Sequence, residues 1–196
     1  MELALENGVL RRRNMGHRMI TLTELRDALP HVVAAPKTDA PIRGLCLRPA
    51  LGQRVFPERI SMTKAQGIPG ERWATTPWMR LADGSPDPRI QVSILQSRVM
   101  DLVWQDRNQP HPGDPIVADL EMSEANLPVG TLLQAGTAVL RVSDVWNDPC
   151  AKWKVRYGTD AYDWVRSSPH LRLRGILCAV EVDGEVGLAD RLQVLR

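Results

Sequence analysis

The sequence predicts a mostly β domain, a barrel or a sandwich, over about residues 41–196. Short apolar segments rich in Val, Ile and Leu recur in this region, and Gly, Pro and Asp separate them. Many short strands with evenly spaced turns are typical of barrels and sandwiches rather than of alternating strands and helices. The segments expected as strands are IRGLCL (42–47), RIQVSIL (89–95), PIVADLEM (115–122), AVLRVSDVW (138–146), GILCAVEV (175–182) and RLQVLR (191–196).

The turns between these strands carry typical turn residues. Gly supplies positive φ, while Pro, Asp and Asn favour tight reversals. With 196 residues, 43% of them hydrophobic, the chain is long enough for one sizeable domain. The segments expected as turns are ADGSPDP (82–88), QPHPGDP (109–115), LPVG (127–130), QAG (134–136) and VDGEVG (182–187).

Residues 1–40 are expected to form an N-terminal extension with one short helix. Leucines at helical spacing predict a helix over 21–29, and Pro30 is expected to end it. Residues 1–19 are polar and aperiodic, so they are expected to lack a fixed fold. A second helix is predicted over 97–104, with its valines and leucine turned inward.

Composition narrows the classes of function. The 25 basic and 23 acidic residues give a net charge of +2, which argues against a nucleic-acid partner. No run of about 18 apolar residues predicts a membrane span, and the N-terminus lacks the apolar core of a signal peptide. The three cysteines lie far apart, with no CxxC pair and no zinc-ligand spacing. A reducing, cytoplasmic location is therefore expected.

The stretch NDPCAKWKVRYG (147–158) surrounds Cys150 with cations. Asp148 suits a helix N-cap, Pro149 the first helical position and Gly158 the residue past the C-terminus. A helix over 149–157 would place Cys150 in its first turn, with Lys154 one turn along the same face. Backbone N–H groups and a nearby cation both favour the thiolate form of such a cysteine.

Two other interpretations of this stretch remain open. A strand over 150–156 would place Cys150 on one face with Lys152, Lys154 and Arg156, so a cation neighbours the thiol in either case. A lone cysteine can also be a small buried hydrophobe, which is the expected role of Cys46 and Cys178 on apolar strand segments. In the helical interpretation Trp153 and Tyr157 share the face of Cys150 and could wall a site. The sequence contains no GxSxG, GxGxxG or P-loop.

Three motifs occur in order along the chain: GIPGERW (67–73), GDPIVADLEMSEANLPVGTLLQAGTAVLRVSDVWNDPCAKWKVRYG (113–158) and LRLRGILCAVEVDGEVGLADRL (171–192). Together they resemble a MOSC domain, the module named for the C-terminal part of molybdenum cofactor sulfurase, in a stand-alone bacterial form. The resemblance covers about residues 41–196. At Glu71 the family usually has Asp, and where this chain has GDPIVADLEM many relatives have Gly-Glu-Asn-Leu.

The resemblance implies a β-barrel of the pyruvate-kinase-insert type and a site for the molybdenum cofactor, molybdopterin. Cys150 matches the family cysteine and would be the metal ligand or a carrier of sulfane sulfur. Lys152 matches the family's basic residue, and Arg174 and Gly175 match its Arg-Gly pair. The cofactor's phosphate needs cations. The residues expected to bind it are Lys152, Lys154, Arg156, Arg172, Arg174 and Gly175.

Two functions follow as expectations. The first is a molybdenum enzyme that reduces N-hydroxylated or N-oxide compounds, with Cys150 on the metal and electrons from a separate donor protein. The second is a non-catalytic carrier of sulfur, as a persulfide on Cys150, or of cofactor, which it delivers to a receiving enzyme. In both, the partners are the cofactor, a small molecule and another protein.

Overall fold

The computed structural model describes residues 3–6, 9–12 and 18–195, and its main element is a closed seven-stranded β-barrel. The strands are Leu3–Glu6 (β1), Val9–Arg12 (β2), Asp39–Leu45 (β3), Arg59–Met62 (β4), Val92–Gln96 (β5), Ile116–Ala118 (β6), Leu132–Ala135 (β7), Ala138–Val142 (β8), Ile176–Val182 (β9), Gly184–Gly187 (β10) and Arg191–Leu195 (β11). The order around the barrel is β11-β3-β6-β5-β9-β8-β7, with β7 paired to β11 to close it.

Four short helices accompany the barrel, so the predicted mostly β barrel with a few helices is confirmed. Single turns of 3₁₀ helix lie at 72–74, 88–90 and 169–171. In the described part of the chain, none of the helices is both long and apolar enough to cross a membrane. The helices are Leu22–Val33 (α1), Ser97–Val103 (α2), Ala151–Tyr157 (α3) and Thr159–Ser167 (α4).

The barrel interior is filled by aliphatic side chains from alternating strand positions. In β3, for example, Ala40, Ile42 and Leu45 are buried, and the gap in their spacing falls where the register with β6 shifts. Neighbouring strands pair antiparallel except β5 and β6, which run parallel. Cys178 lies fully buried in this core, and Cys46 is equally buried just after β3. The core-packing roles expected for these two cysteines are thus confirmed.

A second core packs all four helices against the outer face of the barrel. Leu95 of β5 and Val117 of β6 point into it, opposite to the barrel-facing neighbours in the same strands. Trp164 of α4 and Leu25 of α1 are almost completely buried in this second core. Helix α2 was predicted with its apolar face inward, and Val99 is fully buried there.

The predicted end of α1 at Pro30 is wrong, because the helix continues to Val33 with Pro30 inside it. The proline carbonyl still accepts a hydrogen bond from the Ala34 N–H at 3.1 Å. Val32, beyond the proline, is buried in the second core, and this burial favours the extra turn. At the other end Thr21 and Glu24 form a capping box.

Beyond residue 40, three strands were not predicted, namely β4, β7 and β10. Gly184–Gly187 was assigned to a turn, but it pairs antiparallel with Arg59–Met62 as a separate two-stranded ribbon. A Cβ at Gly184 would lie 2.5 Å from the backbone at Thr137 and Ala138, so the ribbon approaches β8 where only glycine fits. Glycine here serves a close contact between backbones rather than a reversal.

The expected disorder of residues 1–19 falls partly outside the described residues, at positions 1, 2, 7, 8 and 13–17. Within that range the structure describes β1 and β2, which pair antiparallel, and residues 18 and 19. The expectation for the remaining positions stays a prediction.

A buried histidine, His111, lies against Trp104, the residue that follows α2. The ring of His111 packs edge-on against Trp104 and Phe56, at centroid distances of 4.9 and 5.3 Å. Its Nδ1 accepts a hydrogen bond from the Gly113 N–H at 3.0 Å. Because this bond needs an unprotonated nitrogen, the site is built for the neutral ring.

We expect His111 to make the protein less stable in mild acid. Burial lowers its pKa to about 4, while Asp114 opposes the shift and Arg54 and Arg107 add to it. Stability from the neutral ring is complete above the unfolded pKa of about 6.5 and falls as the pH drops from there towards 4, because only the unfolded state takes up the proton. Urea unfolding at pH 7 and pH 4 should show a loss about 2 kcal/mol larger in wild type than in His111→Gln. Equal losses would contradict this role of His111.

Candidate functional site

A cavity of about 580 Å³ opens where five segments of the chain meet. These segments are the chain just after β3 at residue 48, the 72–78 loop, the start of β5, the turn before α3, and the chain that enters β9. The volume lies within the range of about 300–1,000 Å³ that is usual for small-molecule sites. Its walls are formed by Arg48, Arg72, Trp73, Thr76, Pro77, Trp78, Ile90, Gln91, Ser93, Asn147, Asp148, Cys150, Ala151, Lys152, Arg174 and Leu177.

Cys150 lies on this cavity with its side chain exposed. It is the N-cap residue of α3, with extended backbone angles, and its carbonyl accepts a bond from the Trp153 N–H at 2.8 Å. The predicted helix therefore exists but begins two residues later than expected. The strand interpretation of this stretch is wrong.

Asp148 was predicted to cap this helix, and that prediction is also wrong. Its carboxylate instead pairs with Arg166 of α4 at 3.0 Å and accepts from the Trp146 indole N–H at 3.3 Å. The Asp148 side chain thus ties the turn before α3 to the next helix. This tie holds the backbone that leads to Cys150.

The structure places Lys152 and Arg174 on the cavity together with Cys150. Lys154 lies elsewhere, with its Nζ 5.7 Å from the centre of the Tyr162 ring. Arg156 lines a separate space of about 30 Å³ beside Tyr157. A helical period of 3.6 residues separates alternate positions onto different faces, so the three cations after Cys150 do not act at one place.

Arg172 and Gly175 also do not line the cavity. Arg172 is largely buried and donates to the Leu127 carbonyl at 2.6 Å. Gly175 has φ +89°, and a Cβ there would lie 2.1 Å from the Ile94 carbonyl oxygen. Its fit against β5 gives it a clear structural role, and a role in binding cofactor stays a prediction.

Arg174 is held in place from two sides. Its guanidinium donates to the buried carboxylate of Asp114 at 2.8 Å and lies 4.6 Å from the centre of the Trp153 ring. Trp153 is only 3% exposed, so it supports Arg174 from behind and does not itself line the cavity. The aromatic wall expected from Trp153 is therefore indirect.

A second guanidinium, that of Arg48, is fixed by Glu71. The Glu71 side chain is 2% exposed and accepts from Arg48 Nε at 3.2 Å, from Nη2 at 3.3 Å and from the Arg48 backbone N–H. Burial disfavours the charge on Arg48, but Glu71 outweighs it and the pKa of Arg48 is raised. Glu71 also accepts from the Arg72 N–H, which starts the 3₁₀ turn at 72–74.

Two tryptophans, Trp73 and Trp78, contribute apolar surface to the cavity wall. The sequence did not predict them as site residues. Trp73 is anchored by an indole N–H bond to the Asp87 carbonyl at 2.9 Å, whereas Trp78 is 68% exposed at the cavity edge. Trp73 and Arg72 belong to the motif at 67–73, so that motif was the available signal. No sequence motif indicated Arg48 or Trp78 as site residues, because only the fold brings them to the same cavity as Cys150.

In the described range no three His, Cys, Asp or Glu side chains cluster closely enough to hold a metal ion. Cys150 is thus the soft ligand that the cavity itself offers, alongside cations and aromatic rings. This donor set suits an anionic, flat ligand better than a bare metal ion.

We expect alkylating reagents to label Cys150 well before the other two thiols. Burial raises the pKa of Cys46 to about 11 and that of Cys178 to about 12, whereas Cys150 is exposed. Since the thiolate is the reactive form, iodoacetamide at pH 7.5 should modify Cys150 at least about 100-fold faster. Peptide mass spectrometry over time measures the three rates. Comparable labelling of Cys46 would contradict the expectation.

The fold is similar to that of several solved bacterial proteins. YuaD from Bacillus subtilis superposes with a TM-score of 0.58 and 20% identity, over 80% of this chain and 95% of that protein. YiiM from Escherichia coli gives 0.54 and 16% identity, over 81% and 70% of the two chains. YiiM from Geobacillus stearothermophilus gives 0.52 and 14%, over 80% and 75%.

YuaD and YiiM are MOSC-domain proteins. This chain has their fold. No family model matches the sequence, and no curated protein matches it either. Identities of 14–20% establish the shared architecture alone, so what the cavity binds has to be argued from its own residues.

Proposed function

We propose that this chain binds the molybdenum cofactor in the cavity at Cys150 and catalyses two-electron reduction of N-hydroxylated or N-oxide compounds. The observation that carries the proposal is the exposed thiol of Cys150 on a cavity lined by four cations and two tryptophans. The MOSC-type barrel supports it, because the resemblance in sequence and the similarity in fold agree.

The residues present fit the chemical groups of this cofactor. A thiolate suits a soft metal ligand, and the Cys150 side chain is accessible. Guanidinium and ammonium groups suit a phosphate. Trp73 and Trp78 offer flat apolar surfaces for a ring system on the same cavity.

The bound cofactor would supply the redox chemistry, and the chain would hold and orient it. Cys150 would be the protein's ligand to the metal, and Lys152, two residues on, would place a positive charge beside it. The apolar residues Pro77, Ile90 and Leu177 would limit water around the substrate. Reduction cleaves the N–O bond and releases the oxygen as water, with two electrons from a donor protein and two protons from solvent. An N-hydroxylated substrate gains an N–H bond in this way, and an N-oxide becomes the free amine.

A second candidate is a carrier that holds sulfur as a persulfide on Cys150 and delivers it to a partner enzyme. The observation that favours it is the exposure of Cys150, since a thiol at a cavity edge can be reached by an acceptor on another protein. Arg72 and Lys152 line the same cavity and form no ion pair within the described residues, so their positive charges would stabilise the anionic persulfide.

Producing the chain together with the cofactor biosynthesis proteins, followed by metal and pterin analysis, tests the first proposal. Close to one molybdenum and one pterin per chain would support the enzyme. A mass increase of about 32 Da on Cys150 without metal would support the carrier instead. Neither metal nor added sulfur would contradict both.

A further inference from the structure

The cavity combines two kinds of cation. Arg48 and Arg174 are each paired with a buried carboxylate that lies behind the wall, Glu71 and Asp114 respectively. Arg72 and Lys152 form no ion pair with any residue in the described part of the chain. Arg48 and Arg174 are thus fixed and electrically compensated. The charges of Arg72 and Lys152 are not compensated, although the Arg72 Nε–H donates to Thr76 Oγ1 at 3.3 Å.

This division leaves a defined charge for a ligand. The only carboxylate on the cavity wall in the described range is that of Asp148, and Arg166 neutralises it. With these ion pairs cancelled, the positive charges of Arg72 and Lys152 remain. A phosphate monoester carries about −1.5 to −2 charges near neutral pH, so it matches the cavity in charge.

The fixed guanidiniums provide the geometry. Glu71 accepts from two side-chain nitrogens of Arg48 and from its backbone N–H, so both ends of that residue are held. Asp114 accepts a hydrogen bond from Arg174 Nη1, and the Arg174 guanidinium lies over the Trp153 ring. The buried Nε of Arg174 has no partner among the described residues. Side chains held in this way lose little further entropy when they bind an anion.

We propose that Glu71 and Asp114 are positioning residues for a phosphate-type oxyanion. Each fixes one guanidinium as a preset N–H donor on the cavity wall, while Arg72 and Lys152 supply the charge. The inference rests on the cavity being the ligand site proposed above. It adds which residues organise that site for an anion.

The direction in which the phosphate Kd changes in Glu71→Gln distinguishes a positioning role of Glu71 from a purely electrostatic effect. Glu71→Gln removes a negative charge close to the cavity, so Coulomb's law alone predicts tighter anion binding. Loss of a positioning carboxylate predicts weaker binding, by about tenfold as for supporting carboxylates at other ligand sites. The probe is inorganic phosphate, titrated into metal-free protein at constant ionic strength. Its Kd is read from the side-chain Nε–H NMR signals of arginine.

In wild type we expect the Arg48 Nε–H signal to be sharp and to shift with phosphate. In Glu71→Gln that signal should broaden or vanish and the Kd should rise about tenfold. Glu71→Asp, which keeps the charge but shortens the reach, should fall between the two and serves if the glutamine variant does not fold. Asp114→Asn should weaken binding likewise, through Arg174.

Asp119→Asn is the matched control. Asp119 holds Arg98 through two nitrogens at 2.7 and 3.2 Å in a partly buried pair, and neither residue lines the cavity. Its phosphate Kd should equal that of wild type. An unchanged or lower Kd in Glu71→Gln, or in Glu71→Asp with a broadened Arg48 signal, would overturn the proposal, as would a wild type that binds no phosphate. Molybdenum content is measured separately, so failure of the cofactor proposal is distinguishable from failure of this one.

Discussion

The Cys150→Ser variant should no longer retain molybdenum or persulfide sulfur, but it should keep its fold. We expect molybdenum per chain to fall at least about tenfold, as seen when metal-supporting groups are removed, and persulfide loading to disappear. The side chain is exposed and caps no backbone group of α3, so it contributes little to packing. Thermal unfolding should therefore shift by no more than about 2 °C. Elemental analysis and calorimetry on the same preparation measure both effects.

Cys46→Ser is the control with the opposite pattern. Cys46 is fully buried after β3 and off the cavity wall, so a polar hydroxyl there costs stability while the site remains. We expect the melting temperature to fall and the metal content per folded chain to stay near that of wild type. If Cys150→Ser kept full metal or sulfur, the thiol-centred mechanism would be wrong under both proposed functions.

Gly175→Ala should prevent folding. At φ +89° a side chain is already strained, and the added Cβ would sit 2.1 Å from the Ile94 carbonyl oxygen and 3.1 Å from the Leu95 Cα. Both atoms belong to β5, which pairs with β9 directly after Gly175 and cannot move without opening the barrel. We expect a loss of more than about 4 kcal/mol, seen as insoluble protein or as a collapsed melting transition.

Gly130→Ala isolates the backbone part of this effect. Gly130 has φ +88° and no atom within 4 Å of an added Cβ, so it matches Gly175 in conformation and differs in space. Its loss should be about 1 kcal/mol. If the two variants lost similar stability, the close approach to β5 would not be the reason for glycine at 175.

The fold was predictable where a strand has an apolar face and defined turns. Ile176–Val182 and Arg191–Leu195 were found almost residue for residue, because burial inside the barrel selects Val, Ile and Leu. Gly184–Gly187 was missed because glycine and acidic residues indicate a turn locally, and only contact with Ala138 explains their use in a strand. Tertiary contact overrides local preference at such positions.

The site was predictable only along contiguous sequence. Cys150 and Lys152 were found because the motif that contains them is local, and Arg174 because it belongs to a second motif. Arg48 depends on a carboxylate 23 positions away, and Asp114 lies 60 positions from Arg174. No periodicity or spacing encodes such pairs, so the positioning residues emerged from the structure alone.

Protection of the Cys150 thiol tests the central claim most directly. The chain is purified once from cells that make the molybdenum cofactor and once from cells that cannot, and iodoacetamide labelling of Cys150 is timed in both. We expect cofactor bound in this cavity to cover the thiol and to slow labelling at least about tenfold, in proportion to the molybdenum content. Equal labelling rates in a preparation that carries molybdenum would show that the metal is held elsewhere.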